Sequence, residues 1–415
     1  MIISNSSSAF VWIWLPNYAE PIVAGKISFI EGKYHFVYGR SYLENEHSIA
    51  LSPIELPLQR GTFEPTGINE IHACLRDAAP DAWGRRVIEY QYPERSFGEL
   101  DYLLLSGSNR IGALDFQQSN QDYQARESSQ PHLADLLQAA ELIEASKPLP
   151  PELDRALLHG TSVGGARPKV LISDNDKHYI AKLSSSSDYY DVVKAEYVAM
   201  KLAQIAGIDV AQVQLEQSLG KDILLVERFD RIKHKNGSES RRLILSGLSL
   251  LELNEMEARY ASYQKLAELI RHKFANPLNL LREMYKRLVF NILIGNTDDH
   301  ARNHAAFWDG VALRLTPAYD ICPQSRSGGV ATQAMNLEGK LGNHSTLLNV
   351  LSISPVYLLE EREAIEIINI IISVIEDNWL NVCNEADLGQ NDRKRLWKLA
   401  VLNPYCFEGW SKKND

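Results

Sequence analysis

One stretch constrains the fold more than any other, and it runs from Asn291 to Ile321, NILIGNTDDHARNHAAFWDGVALRLTPAYDI. Apolar residues recur at helical spacing before it and into it, which predicts an amphipathic helix over Pro277 to Ile294 that stops at Gly295. A polar loop follows the glycine. The segments HAAFW and VALRL then predict two strands joined across Asp309-Gly310, and the second strand is expected to end at Asp320.

The loop and the end of the hairpin carry oxygen-bearing side chains in the order found in the catalytic half of a protein kinase. Transfer of a γ-phosphoryl group needs a carboxylate near the attacking hydroxyl and oxygen ligands that hold magnesium against the phosphates. We therefore assign Asp298 to the hydroxyl and Asn303 and Asp320 to the metal, with Asp299 and His300 shaping the loop. A polar loop that forms its own Asx turns is the alternative, and the flanking helix and hairpin count against it.

A kinase also needs an ATP-binding sheet with a glycine turn and a lysine upstream. Residues Gly160 to Ala166 are glycine-rich, and PKVLI then predicts a strand that turns at Asp174 to Asp176 and returns along HYIAKL. Glycines let backbone N–H groups approach phosphate oxygens, and Lys182 at the end of the return strand could reach the same phosphates. A plain flexible loop is the alternative for the glycines alone, but their combination with the lysine favours a nucleotide.

The next helix and strands supply the remaining parts of an ATP-binding lobe. A helix is predicted over Asp191 to Ala206, and its Glu196 is the candidate partner for the strand lysine, with a solvated surface glutamate as the alternative. Two strands follow, Asp209 to Glu216 and Ile223 to Glu227. The backbone from Glu227 to Phe229 falls where a kinase hinge would hold adenine, although a strand end followed by a surface charge pair remains open.

Composition narrows the class of protein without deciding its function. A chain of 415 residues with 45% hydrophobic content can bury a large core in two or three domains. The formal charge of -10 excludes nucleic-acid binding through a broad basic surface, although a local patch or a DNA-binding partner stays open. The four cysteines lie far apart, so neither a zinc site nor a disulfide framework is indicated and a cytoplasmic location is expected. The apolar runs are too short or too interrupted to span a membrane, so no membrane contact is expected.

The remaining segments flank these lobes. Trp83 beside Arg85 and Arg86 suggests either a contact with a partner or nucleotide, or a packed ring under a solvated guanidinium. Gln117 to Gln130 predicts a linker or loop. The stretch from Pro323 to Asn349 predicts a mobile substrate-facing loop or a disordered insertion. The predicted N-terminal strands are Phe10 to Trp14, Ile22 to Ile30 and Tyr34 to Tyr38, and the other predicted helices are Ile68 to Leu75, Ala82 to Tyr92, His132 to Ser146, Ala261 to Lys273, Pro355 to Asn378 and Asn391 to Val401.

Five ordered motifs resemble the HipA-type serine/threonine kinases, which are toxins of bacterial toxin-antitoxin pairs. APDAWGRR and IGALDF near the N-terminus also look like that family's first subdomain. The five motifs are TSVGGARPK at Thr161 to Lys169, YIAKL ending at Leu183, LLVERFDR at Leu224 to Arg231, GNTDDHARN at Gly295 to Asn303 and LTPAYDI at Leu315 to Ile321.

The resemblance implies an α+β fold: a two-lobed protein-kinase-like fold with an additional N-terminal α/β subdomain and a helical C-terminal lobe. Its expected domains are residues 1–120, 131–235 and 236–415. It also implies ATP and Mg2+ as cofactors and a protein substrate, which is an aminoacyl-tRNA synthetase in the known cases. The implied partner is a small helix-turn-helix antitoxin (HipB-like), with DNA reached only through that antitoxin.

Carried over residue by residue, the resemblance implies a role for each matching position. Asp298 resembles the catalytic base, and Lys182 resembles the phosphate-binding lysine, which also counts as catalytic. Asn303 and Asp320 resemble the metal ligands. Ser162 matches the family's self-phosphorylated serine, and a phosphate there adds about two negative charges that would expel the glycine loop from the ATP site. The full set expected at the cofactor is Ser162, Val163, Gly164, Gly165, Lys169, Lys182, Glu227, Phe229, His300, Asn303 and Asp320.

Two other functions remain open from the sequence. A kinase-related small-molecule phosphotransferase would keep the same Asp298, Asn303 and Asp320, so only substrate trials separate it from a protein kinase. A non-catalytic scaffold or repressor partner would have no chemical need for these residues together with Lys182.

Overall fold

The protein is described by a computed structural model, which covers residues 7–126, 133–150, 153, 167–174, 177–185, 188–324, 326 and 329–410. Helices and strands are mixed along the chain, as the α+β class predicts. The chain divides into two compact units. The first draws on Met1–Ser187, Glu216–Leu245 and Phe307–Val311, and the second on Asp188–Leu215, Ser246–Ala306 and Ala312–Asp415.

The first unit contains an N-terminal antiparallel sheet of five strands. The three predicted N-terminal strands are observed: Ile22–Ile30 pairs antiparallel with Ser8–Ile13 and, across the Gly32 turn, with Lys33–Tyr38. Four helices accompany the sheet: Arg40–Leu43, Ala73–Arg76, Ala82–Gln91 and Glu99–Leu105. In spatial order the strands are Thr62–Phe63, Lys33–Tyr38, Ile22–Ile30, Ser8–Ile13 and Leu114–Gln117.

A second sheet in this unit carries the lysines singled out in the sequence. Its strands follow the order Lys169–Asp174, Lys177–Leu183, Lys221–Glu227 and Val213–Ser218. The helix Leu133–Glu144 packs its Leu136, Leu137, Ala140 and Ile143 against one face of this sheet, together with Val170, Ala181, Leu183, Ile223 and Leu225. Three further short strands in this unit are Arg231–Lys233, Glu239–Arg241 and Leu243–Ser246, whose last residue belongs to the second unit.

Trp83 lies in that same core, so the packed-ring alternative is confirmed. Its side chain is buried, and Arg85 forms a bidentate ion pair with Glu99 at 2.5 and 2.8 Å while stacking over Tyr102. Arg86 donates to the carbonyl of Ile143 at 3.1 Å. These side chains hold the helix Ala82–Gln91 in place.

The second unit is mainly helical. The prediction for Pro277–Ile294 is confirmed at both ends, with proline in the first turn and Gly295 in a left-handed conformation, φ 79°. Among the described residues, no helix is long and apolar enough to cross a membrane. Its α-helices are Val192–Ile205, Gly247–Leu250, Tyr263–Lys273, Pro277–Ile294, Leu347–Ser352, Glu361–Glu385 and Gln390–Leu396, and its 3-10 helices are Glu255–Tyr260, Ala301–Asn303, Ser354–Tyr357 and Pro404–Phe407. The hairpin strands are Ala305–Trp308, which is divided between the two units after Ala306, and Leu313–Leu315.

Several predicted boundaries are wrong. Residues 68–72 form turns, so only the end of the predicted helix Ile68 to Leu75 is helical. The strand predicted from Asp209 starts at Val213, because Val210 instead forms a parallel bridge with Ala318. Proline at position 355 begins a 3-10 turn rather than the long helix, which spans Glu361–Glu385, and the last predicted helix ends at Leu396.

The stretch predicted to be mobile or disordered between Pro323 and Asn349 contains buried and hydrogen-bonded residues, although others, such as Val330, are exposed. Met335 and Leu337 are completely buried. The backbone of Ala334 donates to the carbonyl of Thr297 at 3.0 Å, and Tyr263 donates to the carbonyl of Asn336 at 2.9 Å. This segment therefore supports the polar loop from within the second unit.

The predicted loop after Gln117 is also tied to the fold as far as Arg126. Asp115 is completely buried, and its carboxylate accepts from Arg110 Nε at 2.8 Å, Arg126 Nη2 at 2.7 Å and Ser108 Oγ at 2.7 Å. Burial raises the pKa of Asp115, but the two guanidinium groups outweigh it and hold the pKa at about 2.

We expect Asp115→Asn to lower the free energy of unfolding at pH 7 by roughly 2 kcal/mol. The pKa of Asp115 is lower in the folded protein than in the unfolded chain, so its contribution is complete above about pH 4 and disappears as the pH falls toward 2. Urea unfolding over this range should therefore show a difference between wild type and variant that shrinks in acid. The exposed Asp122→Asn is the control, and a difference independent of pH would contradict the assignment.

Candidate active site

The polar loop begins where the helix Pro277–Ile294 is forced to end. A Cβ atom on Gly295 would lie 2.5 Å from the carbonyl oxygen of Ala400, so both the positive φ and the close backbone require glycine. The backbone of Asn296 then bonds back to Asn291 at 2.9 Å. The chain therefore leaves the helix in one fixed direction.

The loop brings together Asp298 and Asn303, two of the three residues predicted to act on phosphate and metal. Asn303 lies in a single 3-10 turn, and its Nδ2 donates to the carbonyl oxygen of Asp298 at 3.3 Å. Asn303 is buried, whereas Asp298 stays accessible to solvent. Partial burial raises the pKa of Asp298, His300 opposes that rise, and the negative charges of Asp320 and Asp299 add to it. The carboxylates of Asp298 and Asp320 thus lie close enough to repel each other.

The chain does not reach Asp320 as a continuous strand, contrary to the prediction. The second hairpin strand ends at Leu315 rather than at Asp320, because the chain after it leaves the hairpin: Ala318 donates to the carbonyl of Asp209 at 2.7 Å. Asp320 itself has a left-handed backbone with φ 61°, a conformation that aspartate tolerates better than most residues. The hydroxyl of Tyr319 donates to the carbonyl of Arg302 at 2.7 Å, which ties this segment to the loop.

Asp299 points away from the reactive side of the loop into a buried polar network. Its Oδ2 accepts from the hydroxyl of Tyr263, from Asn291 Nδ2 at 2.7 Å and from His304 Nε2 at 3.0 Å. Burial raises the pKa of Asp299, but His304 and Tyr263 outweigh it and keep the pKa below its usual value. The loop-shaping role predicted for Asp299 thus has a specific basis.

His300 lies between these two aspartates and Asn303. Its Nδ1 is buried and has no hydrogen-bond partner among the residues that the structure describes. His300 nevertheless acts on the two preceding carboxylates, since its positive charge would lower the pKa of both Asp298 and Asp299. The charge of His300 therefore contributes to the electrostatic balance of the loop.

The first unit carries the two lysines predicted to meet phosphate. Lys169 and Lys182 are direct partners on neighbouring antiparallel strands, so their side chains share one face of the sheet. Lys169 is only 6% exposed. The pairing thus places two cationic side chains side by side on that face.

The strand next to the lysines ends in the predicted hinge. Glu227 pairs in register with Tyr179, and its carboxylate accepts from Lys177 Nζ at 2.7 Å. The ring of Phe229 packs edge-on against Phe307 with centroids 5.8 Å apart. Both side chains are thus held by the protein, which leaves backbone atoms to serve an adenine ring.

Five other predicted residues belong to the glycine loop and to the helix Val192–Ile205. Ser162, Val163, Gly164 and Gly165 lie outside the described residues. Glu196 belongs to the second unit, on the helix Val192–Ile205, and is only 6% exposed, so the solvated surface glutamate is excluded.

Comparison with known proteins identifies the group to which this architecture belongs. Residues 161–379 match the model of the HipA-like C-terminal domain, and residues 16–117 match that of the HipA N-terminal domain. The first match alone covers more than half of the 415 residues. The chain belongs to the HipA family.

Individual relatives are distant. The chain is 25% identical over 313 residues to the putative kinase Y4mE of Sinorhizobium fredii, which covers 70% of this chain and 72% of that protein. It is 27% identical over 184 residues to the serine/threonine-protein kinase toxin HipA of Shewanella oneidensis, covering 39% of this chain and 42% of the toxin. A chain in the solved complex of Shewanella oneidensis MR-1 HipA, HipB and operator DNA matches 93% of this chain and 95% of its own length, with a TM-score of 0.69 at 19% identity. The predicted kinase-like α+β fold is confirmed.

Sequence reasoning missed the supports of the HipA-family loop. Tyr263, Asn291 and His304 anchor Asp299, and Asn296 Nδ2 donates to Asn291 Oδ1 at 3.0 Å. One signal was available, since Asn291 is a polar residue on the apolar face of a predicted helix. Tyr263 lies 36 residues from Asp299 in the chain, so no local pattern announces that contact.

Proposed function

We propose that this HipA-family chain is an ATP- and magnesium-dependent kinase that phosphorylates a serine or threonine hydroxyl of a protein. The observation that carries the proposal is the loop in which Asn303 bonds to the backbone of Asp298 while the charge of Asp320 acts on the Asp298 carboxylate. An accessible carboxylate beside two oxygen-bearing side chains suits phosphoryl transfer.

Asp298 is the proposed general base. A carboxylate with a raised pKa accepts a proton more readily, and Asp298 remains accessible to an incoming hydroxyl. In this role it would orient the substrate hydroxyl and take its proton as the oxygen attacks the γ-phosphorus, while the bond from that phosphorus to the bridging oxygen breaks and ADP leaves.

Asn303 and Asp320 are the proposed magnesium ligands, and their chemistry fits. An amide oxygen and a carboxylate are hard donors, and the repulsion between Asp298 and Asp320 favours a nearby cation. No group of three His, Cys, Asp or Glu side chains suited to a metal occurs among the described residues. Magnesium at kinase sites generally uses one or two protein carboxylates plus the phosphates of the nucleotide, whose charge it neutralises.

The first unit supplies the proposed nucleotide contacts. Lys169 and Lys182 would bind phosphate oxygens, and the backbone from Glu227 to Phe229 would bind the adenine edge. The backbone N–H groups of Val163 to Gly165 and self-phosphorylation of Ser162 belong to the proposal through the family motif TSVGGARPK.

A partner also follows from family membership. We propose that a small helix-turn-helix antitoxin neutralises this chain and that DNA is contacted only through that antitoxin. The family resemblance and the fold shared with a HipA solved beside HipB and operator DNA support this, as does the net charge of -10. A cytoplasmic location fits the free, buried state of Cys74, Cys322, Cys383 and Cys406.

Calorimetric titration with ATP and magnesium tests the nucleotide site. We expect Lys182→Gln to weaken ATP binding about 10- to 100-fold, because a charge-assisted contact to phosphate is lost, while adenosine binding stays unchanged. Lys221→Gln removes a lysine from the neighbouring strand that pairs with Glu141, and this control should bind ATP like wild type. Absence of magnesium-dependent ATP binding by the folded wild-type protein would contradict the proposed function.

A further inference from the structure

The segment that follows the proposed hinge is buried although it is highly charged. The side chains of Arg228, Asp230 and Arg231 are only 1%, 2% and 3% exposed. Asp230 Oδ1 accepts from Arg228 Nε at 2.9 Å, and its Oδ2 accepts from Arg228 Nη2 at 2.8 Å and from Arg231 Nη1 at 2.7 Å. The surface charge pair left open by the sequence is therefore excluded.

These charged side chains form hydrogen bonds with a loop of the N-terminal subdomain, residues 109–112. Asn109 Oδ1 accepts from Arg228 Nη1 at 2.8 Å and from Arg231 Nη2 at 2.9 Å. The carbonyl oxygen of Arg110 accepts from Arg228 Nη2 at 2.6 Å and Arg231 Nη2 at 2.7 Å. The backbone N–H of Gly112 completes the network by donating to Asp230 Oδ2 at 2.7 Å.

Burial makes this arrangement difficult to change. Two guanidinium groups and the Asp230 carboxylate leave a net positive charge inside the protein. The oxygens of Asn109 and Arg110 and the carboxylate of Glu239, 3.7 Å from Arg231 Nε, offset this charge. Removal of one acceptor would leave buried donors unpaired, which destabilises the arrangement. The 109–112 loop therefore has one favourable position relative to Arg228 and Arg231.

Arg228 transmits that position to the hinge, because it lies between Glu227 and Phe229. Its backbone N–H donates to the carbonyl of His178 at 2.8 Å, so main chain and side chain are fixed at once. On the other side, Phe229 packs against Phe307, over which Arg242 stacks at 4.7 Å. The backbone proposed to bind adenine is thus held by contacts with His178, Phe307 and the 109–112 loop.

We propose that the 109–112 loop is a positioning element of the nucleotide site, with Asn109 its main positioning residue. Through Arg228 it sets the backbone of Glu227 to Phe229, so the N-terminal subdomain determines how well the kinase lobe binds adenine. This inference rests on the proposed function and adds a specific part to it: the subdomain affects the binding of the adenine ring rather than the binding of the phosphates.

Two ligands separate these two effects in the full-length protein. ATP uses both the hinge and the lysines, whereas inorganic tripolyphosphate has only the phosphates. We expect Asn109→Ala to weaken ATP binding about tenfold and to change tripolyphosphate binding less than about twofold. In kinase assays the KM for ATP should rise by the same factor with kcat nearly constant, and Asn109→Asp, which keeps the acceptor oxygen, should restore ATP affinity.

A matched control accounts for any general loosening of the subdomain. Tyr38→Phe removes a buried hydroxyl that donates to the carbonyl of Leu56 at 2.6 Å and accepts from the backbone of Leu51 at 2.8 Å, without contact to the 109–112 loop. Equal losses of ATP affinity in Tyr38→Phe and Asn109→Ala would overturn the inference, as would equal losses for ATP and tripolyphosphate. If wild type binds tripolyphosphate but not ATP, only the adenine site fails, and if it binds neither, the proposed function fails with it.

Discussion

Asp298→Asn is expected to reduce phosphoryl transfer by about 100- to 10,000-fold while the protein stays folded. Asparagine is isosteric with aspartate but cannot accept the proton of the attacking hydroxyl. The Asp298 side chain is accessible, and Asn303 bonds to its carbonyl oxygen rather than to its carboxylate, so the loop should keep its shape. The substitution also removes the repulsion from Asp320, so stability should be unchanged or slightly higher.

The rate of ADP formation in the presence of a protein acceptor measures this loss, and calorimetry on the same sample measures ATP binding. Binding should persist in Asp298→Asn, because the lysines and the hinge are intact. A variant with wild-type turnover would show that Asp298 is not the base.

Asp299→Ala changes the adjacent residue but is expected to act first on stability. It should lower the free energy of unfolding of the second unit by about 3–5 kcal/mol, because Tyr263, Asn291 and His304 each lose a buried acceptor. Activity should fall as well, since the same network holds the loop that carries Asp298.

Urea unfolding followed by circular dichroism measures this effect, and Asp298→Asn is the matched control one position away. Asp299→Asn retains one oxygen acceptor, so its loss of stability should be intermediate. A stability loss below about 1 kcal/mol in Asp299→Ala would contradict the role assigned to the network.

The sequence predicts best those elements whose signals are local. Pro277–Ile294 has a proline at its start, a glycine after its end and apolar residues along one face, and the predicted limits are the observed ones. The strand Ile22–Ile30 is equally local, since turn residues bound it on both sides. Asp298 and Asn303 were recognisable for the same reason: their spacing in the chain is the feature that the chemistry requires.

Long-range contacts explain what the sequence could not predict. The strand after Asp309-Gly310 stops early because Ala318 bonds to Asp209, more than a hundred residues away in the chain. Arg228 and Asp230 look like surface charges in isolation, and only the 109–112 loop, 118 and 119 positions earlier, makes their burial possible. Buried charges of this kind run against composition-based expectation, so they had to be observed.

The most direct test of the central claim is intact-mass measurement with phosphopeptide mapping after incubation of the protein with ATP and magnesium. The account predicts one phosphate on Ser162 in the wild-type protein and none in Asp298→Asn. Phosphate incorporation into Asp298→Asn at the wild-type rate would contradict the assignment of the base, and a folded wild-type protein that neither binds ATP nor gains phosphate would contradict the kinase itself.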